Sequence, residues 1–91
     1  MFVSVIHRVS DADAFWTIVA SAAQKIPTDL NLPQYVTSND RSTTICLWEA
    51  PSVEKVRNFV EPLLGRVSKN EYVPIDPTNS TGLPATAKAN T

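Results

Sequence analysis

Only two glycines, Gly65 and Gly82, occur in the 91 residues of this chain. That scarcity excludes folds that lay bare backbone against a phosphate, because neither a dinucleotide fingerprint nor a phosphate loop can be written without more of them. A nucleophile elbow, which needs glycines around its serine, goes with them. One cysteine, Cys46, and one histidine, His7, leave no internal disulfide. They are too few for a structural zinc site unless two protomers share the ligands. A lone cysteine makes the cytoplasm the default location. An excess of one charge is missing too. A net charge of −1 and a pI near 5.7 leave no electrostatic footprint for nucleic acid, and the scattered basic residues form no run suited to an anionic membrane surface. No apolar stretch approaches the ~20 residues of a membrane span. The first residues lack the charged-then-apolar pattern of a secretory signal.

What the chain does have is a strand–helix–strand pattern, twice. Phe2–Val9 is a strand that runs into a helix starting near Asp11, where Ser10-Asp11-Ala12-Asp13 supplies capping oxygens and acids at the positive helix end. Phe15, Val19, Ala22, Ala23 and Ile26 follow at helical spacing, and Pro27 sets a limit to that helix. Leu32–Ser38 reads as a second strand, and Asn39-Asp40 as a two-residue hairpin turn into a third, Thr43–Ala50. A second helix opens at Ser52 with the stripe Val53, Val56, Val60, Leu63 and Leu64. Pro62 should bend or break its last turn, and Gly65 caps it. Glu71–Ile75 is a last strand, whose Pro74 argues for a sheet edge.

The order βαββαβ is the ferredoxin-like split motif. The predicted fold class is therefore α+β: an antiparallel four-stranded sheet with both helices on one face, strands two and four at the edges. Laying the second unit on the first makes strands one and three parallel neighbours. It sets Val3, Val5 and His7 beside Ile45, Leu47 and Glu49 on one face, and Phe2, Ser4 and Ile6 beside Thr44, Cys46 and Trp48 on the other. The folding unit is residues 1–75. Residues 76–91, rich in Thr, Asn, Ser, Ala and Pro, read as a polar tail with too little apolar surface to repay ordering.

A unit of ~75 residues is marginal alone. Both central strands are apolar on both sides, and strands buried on only one face alternate cleanly instead. A second copy covering the helix-free face is the economical answer, so a homodimer is predicted.

The run Cys46-Leu47-Trp48-Glu49-Ala50-Pro51-Ser52, then Val53, Val56 and Arg57, then Asn70-Glu71-Tyr72, resembles small members of the dimeric α+β barrel superfamily, in the branch with nickel-responsive members. The resemblance covers residues 1–75. It implies two sheets packed face to face into a barrel, with a ligand pocket in each protomer. The superfamily includes cofactor-free monooxygenases, haem-degrading enzymes and polyketide cyclases, so it marks a fold more than a function.

The repeat alignment places His7 and Glu49 on one face of adjacent strands, ~4.8 Å apart. A carboxylate there can orient an imidazole for general-base work, or join it as a ligand to a divalent transition metal such as nickel. The other face offers Ser4, Cys46 and Trp48 as the wall of a small-molecule pocket. Two functions follow. One is a binding protein for a small molecule or a metal ion, with His7 and Glu49 as the metal ligands. The alternative is a cofactor-independent monooxygenase or cyclase acting on an aromatic or polyketide-like substrate, with His7 as base and Tyr72 or Asn70 positioning an oxyanion. Each of these residues also has a plainer reading, since His7 and Glu49 can bond loop amides while Cys46 and Trp48 fill a core.

Overall fold

The computed structural model describes residues 1–84; residues 85–91 of the tail read from the sequence lie outside the described residues. Strand β1 (Phe2–Val9) leads to helix α1 (Ala12–Ala22), strands β2 (Asn31–Thr37) and β3 (Thr43–Glu49), helix α2 (Val53–Leu64) and strand β4 (Ser68–Pro74). A single 3₁₀ turn, Pro77–Asn79, follows. The sheet order is β2-β3-β1-β4 and every ladder is antiparallel. This is the ferredoxin-like α+β arrangement, with β2 and the Pro74-bearing β4 at the edges.

Local chemistry sets the boundaries. The Asp11 carboxylate accepts from the Ala14 amide at 3.1 Å, and the Ser52 hydroxyl oxygen accepts from the Lys55 amide at 3.2 Å. Each satisfies one of the amides that a helix start leaves open. Helix α1 stops at Ala22, short of the limit that Pro27 sets. Helix α2 continues past Pro62 to Leu64, because the proline sits in the last turn and forfeits one bond at an exposed position. Gly65 ends α2 in the right-handed conformation, where a Cβ would come within 2.9 Å of the Glu61 carbonyl oxygen. Strand β2 carries a bulge between Asn31 and Gln34, a stretch that holds Pro33 with no amide to donate. Asn39 and Asp40 do lie at the turn into β3, but the loop is wider than two residues. Ser38 accepts from the Arg41 amide at 3.0 Å, and Arg41 takes φ 64°, the left-handed position a glycine would favour. Three bonds from Ser38 and Ser42 hold the loop on Asp40 and lower its carboxyl pKa to about 2. Strand β4 opens at Ser68, three residues before the sequence placed it.

One expectation is corrected at this level. Strands β1 and β3 are neighbours, but antiparallel ones. The α1 crossover returns β2 parallel to β1, and the 38–42 hairpin then reverses β3 before it enters the sheet between them. The register pairs Val3 with Trp48, Val5 with Cys46 and His7 with Thr44. These six side chains share the helix-covered face, all of them buried. Ser4, Ile6 and Arg8 share the helix-free face with Thr43, Ile45 and Leu47. The repeat alignment had interchanged the faces of β3, and a slip of one residue does this to every side chain of a strand.

The core lies between sheet and helices, built from Val3, Val5, Cys46 and Trp48 below and Phe15, Val56, Val60 and Leu64 above. On the helix-free face Phe2 and Glu49 stand opposite each other and are both buried, whereas Val36 and Ile45, paired on the same face, remain 53% and 40% exposed.

Candidate functional site

Helix α1 ends in small residues: the buried Ala22 and the exposed Ala20 and Ala23 all border the space beside α2. The space they leave is a cavity of about 270 Å³ between the helices and the sheet. Its floor is His7, Thr44, Cys46 and Trp48, and its walls come from Phe15, Trp16, Val19 and Ile26 on one side and Phe59, Val60 and Leu63 on the other. Aromatic edges meet faces around it. Phe15 lies 5.2 Å from Trp16 at 81° and 5.3 Å from His7 at 64°, and Trp48 lies 5.9 Å from Phe59 at 73°. Such edge-to-face pairs hold rings in fixed orientations. Tyr35, half-exposed on edge strand β2, reaches the cavity from outside and stands 5.9 Å from Trp16.

Two polar atoms matter here. Trp48 is 4% exposed, and among the described residues its indole Nε1–H is the one buried side-chain polar atom with no hydrogen-bond partner. A buried donor without an acceptor is costly, and native interiors hold few of them. His7, 1% exposed, has one nitrogen engaged: its Nδ1 lies 2.6 Å from the Asn70 Oδ1. Asn70 faces that way because its Nδ2 donates to the Glu61 Oε1 at 3.0 Å, and the Ser68 hydroxyl donates to the same Asn70 oxygen at 2.7 Å. An amide oxygen can only accept, so Nδ1 carries the proton and Nε2 is left as an acceptor.

The network continues outward. The Tyr72 hydroxyl donates to the Glu61 Oε1 at 2.6 Å, and the Arg57 guanidinium lies 5.0 Å from the Tyr72 ring centroid. Titration follows from these contacts. Burial pulls the His7 pKa below its ordinary value, against the Asn70 bond and the Glu61 charge. The bonds from Tyr72 and Asn70 hold Glu61 below the usual carboxylate range. Burial first, then the bond to Glu61, pushes the Tyr72 phenol up. Burial raises the Cys46 thiol to about 12, which makes it an inert neutral group rather than a nucleophile.

His7, Asn70 and Tyr72 thus share the helix-covered face, His7 opposite Asn70 in the β1–β4 ladder and Tyr72 opposite Val5. Cys46 and Trp48 share that face too, and line the same cavity as His7. Ser4 does not: it pairs with Leu47 and Val73 on the other side of the sheet. Nor are His7 and Glu49 together. Glu49 pairs with Phe2 at the far end of β1, about 17 Å away at ~3.4 Å per residue, and on the opposite face. The paired site expected of them is corrected by the antiparallel register. Among the described residues no three His, Cys, Asp or Glu side chains converge as a metal cage would. Glu61 and Ser68 were not among the sequence candidates. A carboxylate in the last turn of a helix that crosses back over β4 was the available signal for Glu61.

No protein-family model, no curated protein and no solved structure matches this chain. The fold and the cavity are therefore read from its own residues alone.

Proposed function

We propose that this chain binds a small organic molecule in the cavity between the sheet and the two helices. The observation that carries the reading is the apolar space of about 270 Å³, walled by aromatic and aliphatic side chains with His7 and Thr44 on its floor. Largely apolar cavities with a few fixed polar groups are the usual form of small-molecule sites. Of the two ligand classes that the sequence allows, the organic one is preferred, because the metal reading rested on His7 beside Glu49.

The rival is a cofactor-independent monooxygenase or cyclase, and one feature favours it. His7 is held neutral with Nδ1 on Asn70, so Nε2 stands ready to take a proton. In that reading His7 is the base, and Asn70 positions it rather than an oxyanion.

A second copy of the chain belongs to the proposal. The resemblance to dimeric α+β barrels supplies the arrangement, and the exposed Val36 and Ile45 beside Ile6, Leu47 and Val73 supply a self-complementary apolar face. Calorimetric titration with aromatic ketones and phenols, and with nickel and zinc in parallel, tests the reading. Heat with an organic compound and none with either ion supports it; heat only with a metal overturns it.

A further inference from the structure

A second hollow shares no residue with the cavity. It lies at the end of the sheet, where the β1–α1 junction, the 38–42 hairpin and the turn from α2 into β4 meet. This open cleft of about 510 Å³ is lined by Arg8, Arg66 and Lys69, with the hydroxyl residues Ser10, Ser42 and Thr43 beside them, and no Asp or Glu lines it. The three cations are far apart in the sequence, and the fold gathers them.

Their ion pairing sets the cleft apart. Seven of the eight basic side chains fall within the described residues. Arg8, Arg41, Lys55 and Arg57 each have a carboxylate partner. Among the described residues Lys25, Arg66 and Lys69 have none, and two of those three line this one cleft.

The strand register adds a second observation. Arg8 stands directly opposite Lys69 in the β1–β4 ladder and opposite Thr43 in the β1–β3 ladder, so the three form a row across the sheet on one face. Like charges directly opposite each other across a ladder repel. Glu71 answers only Arg8: it lies 3.7 Å away, and the two side chains are 60% and 63% exposed, where such pairs are weak. Arg66 follows the C-terminus of α2, whose partial negative charge favours a cation without neutralising it. The hairpin's own carboxylate, Asp40, is taken up by Ser38 and Ser42.

An anion in the cleft would offset this uncompensated charge. A guanidinium fork matches two oxygens of a phosphate, and an ammonium adds a point charge. The volume falls in the ~300–1,000 Å³ range of small-molecule sites, so there is room for a phosphate and the molecule that carries it. We propose that this cleft binds the phosphate group of a small phosphorylated molecule, held by Arg66 and Lys69 with Arg8 beside them. The site is separate from the cavity and does not depend on what the cavity binds.

Titration of the full chain with inorganic phosphate and pyrophosphate, followed in ¹⁵N-correlated spectra, tests it. Ionic strength is held constant with sodium chloride, so that screening does not change. The Arg66, Lys69 and Thr43 amide resonances should move along saturable curves with both anions. Arg66→Gln and Lys69→Gln, both at exposed positions, should each weaken pyrophosphate binding at least about fivefold. Lys25→Gln makes the same change of charge at an unpaired cation outside the cleft and should leave the affinity within about twofold of native. Shifts that fail to saturate, or an equal loss in all three variants, would reduce the effect to general charge attraction and overturn the site. Sedimentation with phosphatidate vesicles, without saturable shifts from the free anions, would overturn it in favour of a lipid surface.

Discussion

With one imidazole in the chain, buried between a sheet and two helices, the molecule's response to mild acid is easy to attribute. The folded pKa of His7 is below its ordinary value, so between ~6.5 and that lowered value the unfolded chain binds a proton that the folded one refuses. Stability should therefore be full above ~6.5, fall as the pH drops below it, and stop falling below the folded pKa. Urea midpoints measured from about pH 7 to about pH 5 should decline for the native chain and flatten in His7→Gln; equal slopes in both would assign the loss elsewhere. Glu61 adds a separate loss further down, since a carboxylate depressed by folding stabilises above its unfolded pKa and ceases to as the pH falls through its folded one. The residues His7, Asn70 and Tyr72 were readable as neighbours from strand order. Their partner Glu61 was not, because helix rotation over a sheet depends on packing that local sequence does not specify.

At the scale of elements, the starts were legible and one direction was not. Asp11 and Ser52 announce their helices through a short-range bond that any sequence can display. Removing one should be felt as such a bond: Ser52→Ala is expected to cost about 1 kcal/mol, read as a lower urea midpoint at unchanged slope. The face of β3 was hidden because both of its faces are apolar, Ile45 and Leu47 on one and Cys46 and Trp48 on the other. Hydropathy alternation cannot choose between two such sets. The alanines that end α1 carry the next expectation. Ala22→Leu should fill the cavity, raise stability by about 0.5–2 kcal/mol and abolish the calorimetric heat of any aromatic ketone or phenol that the native chain binds. A destabilised variant that still binds would place the ligand elsewhere.

At the scale of the whole molecule, size and surface point the same way. A ~75-residue unit buries about 60% of its unfolded surface, and here part of its helix-free face, around Val36 and Ile45, stays open. Light scattering at micromolar concentration should report twice the 10.0 kDa chain mass. Ile45→Lys, a charge placed in the middle of that face, should return the mass to that of one chain with the helical circular dichroism signal kept. A monomeric native chain would remove the second copy from the account. Among the described residues no helix is long and apolar enough to cross a membrane.

The sole thiol of the chain lies buried on the cavity floor. A small aromatic disulfide reaches Cys46 by way of the cavity, and burial, which pushes the thiol up to about 12, makes its reaction slow. The rate of labelling is therefore a clock for access to the cavity. Any compound that occupies the space should slow that clock in proportion to its occupancy, so ligands can be ranked by the seconds they add, without a functional assay.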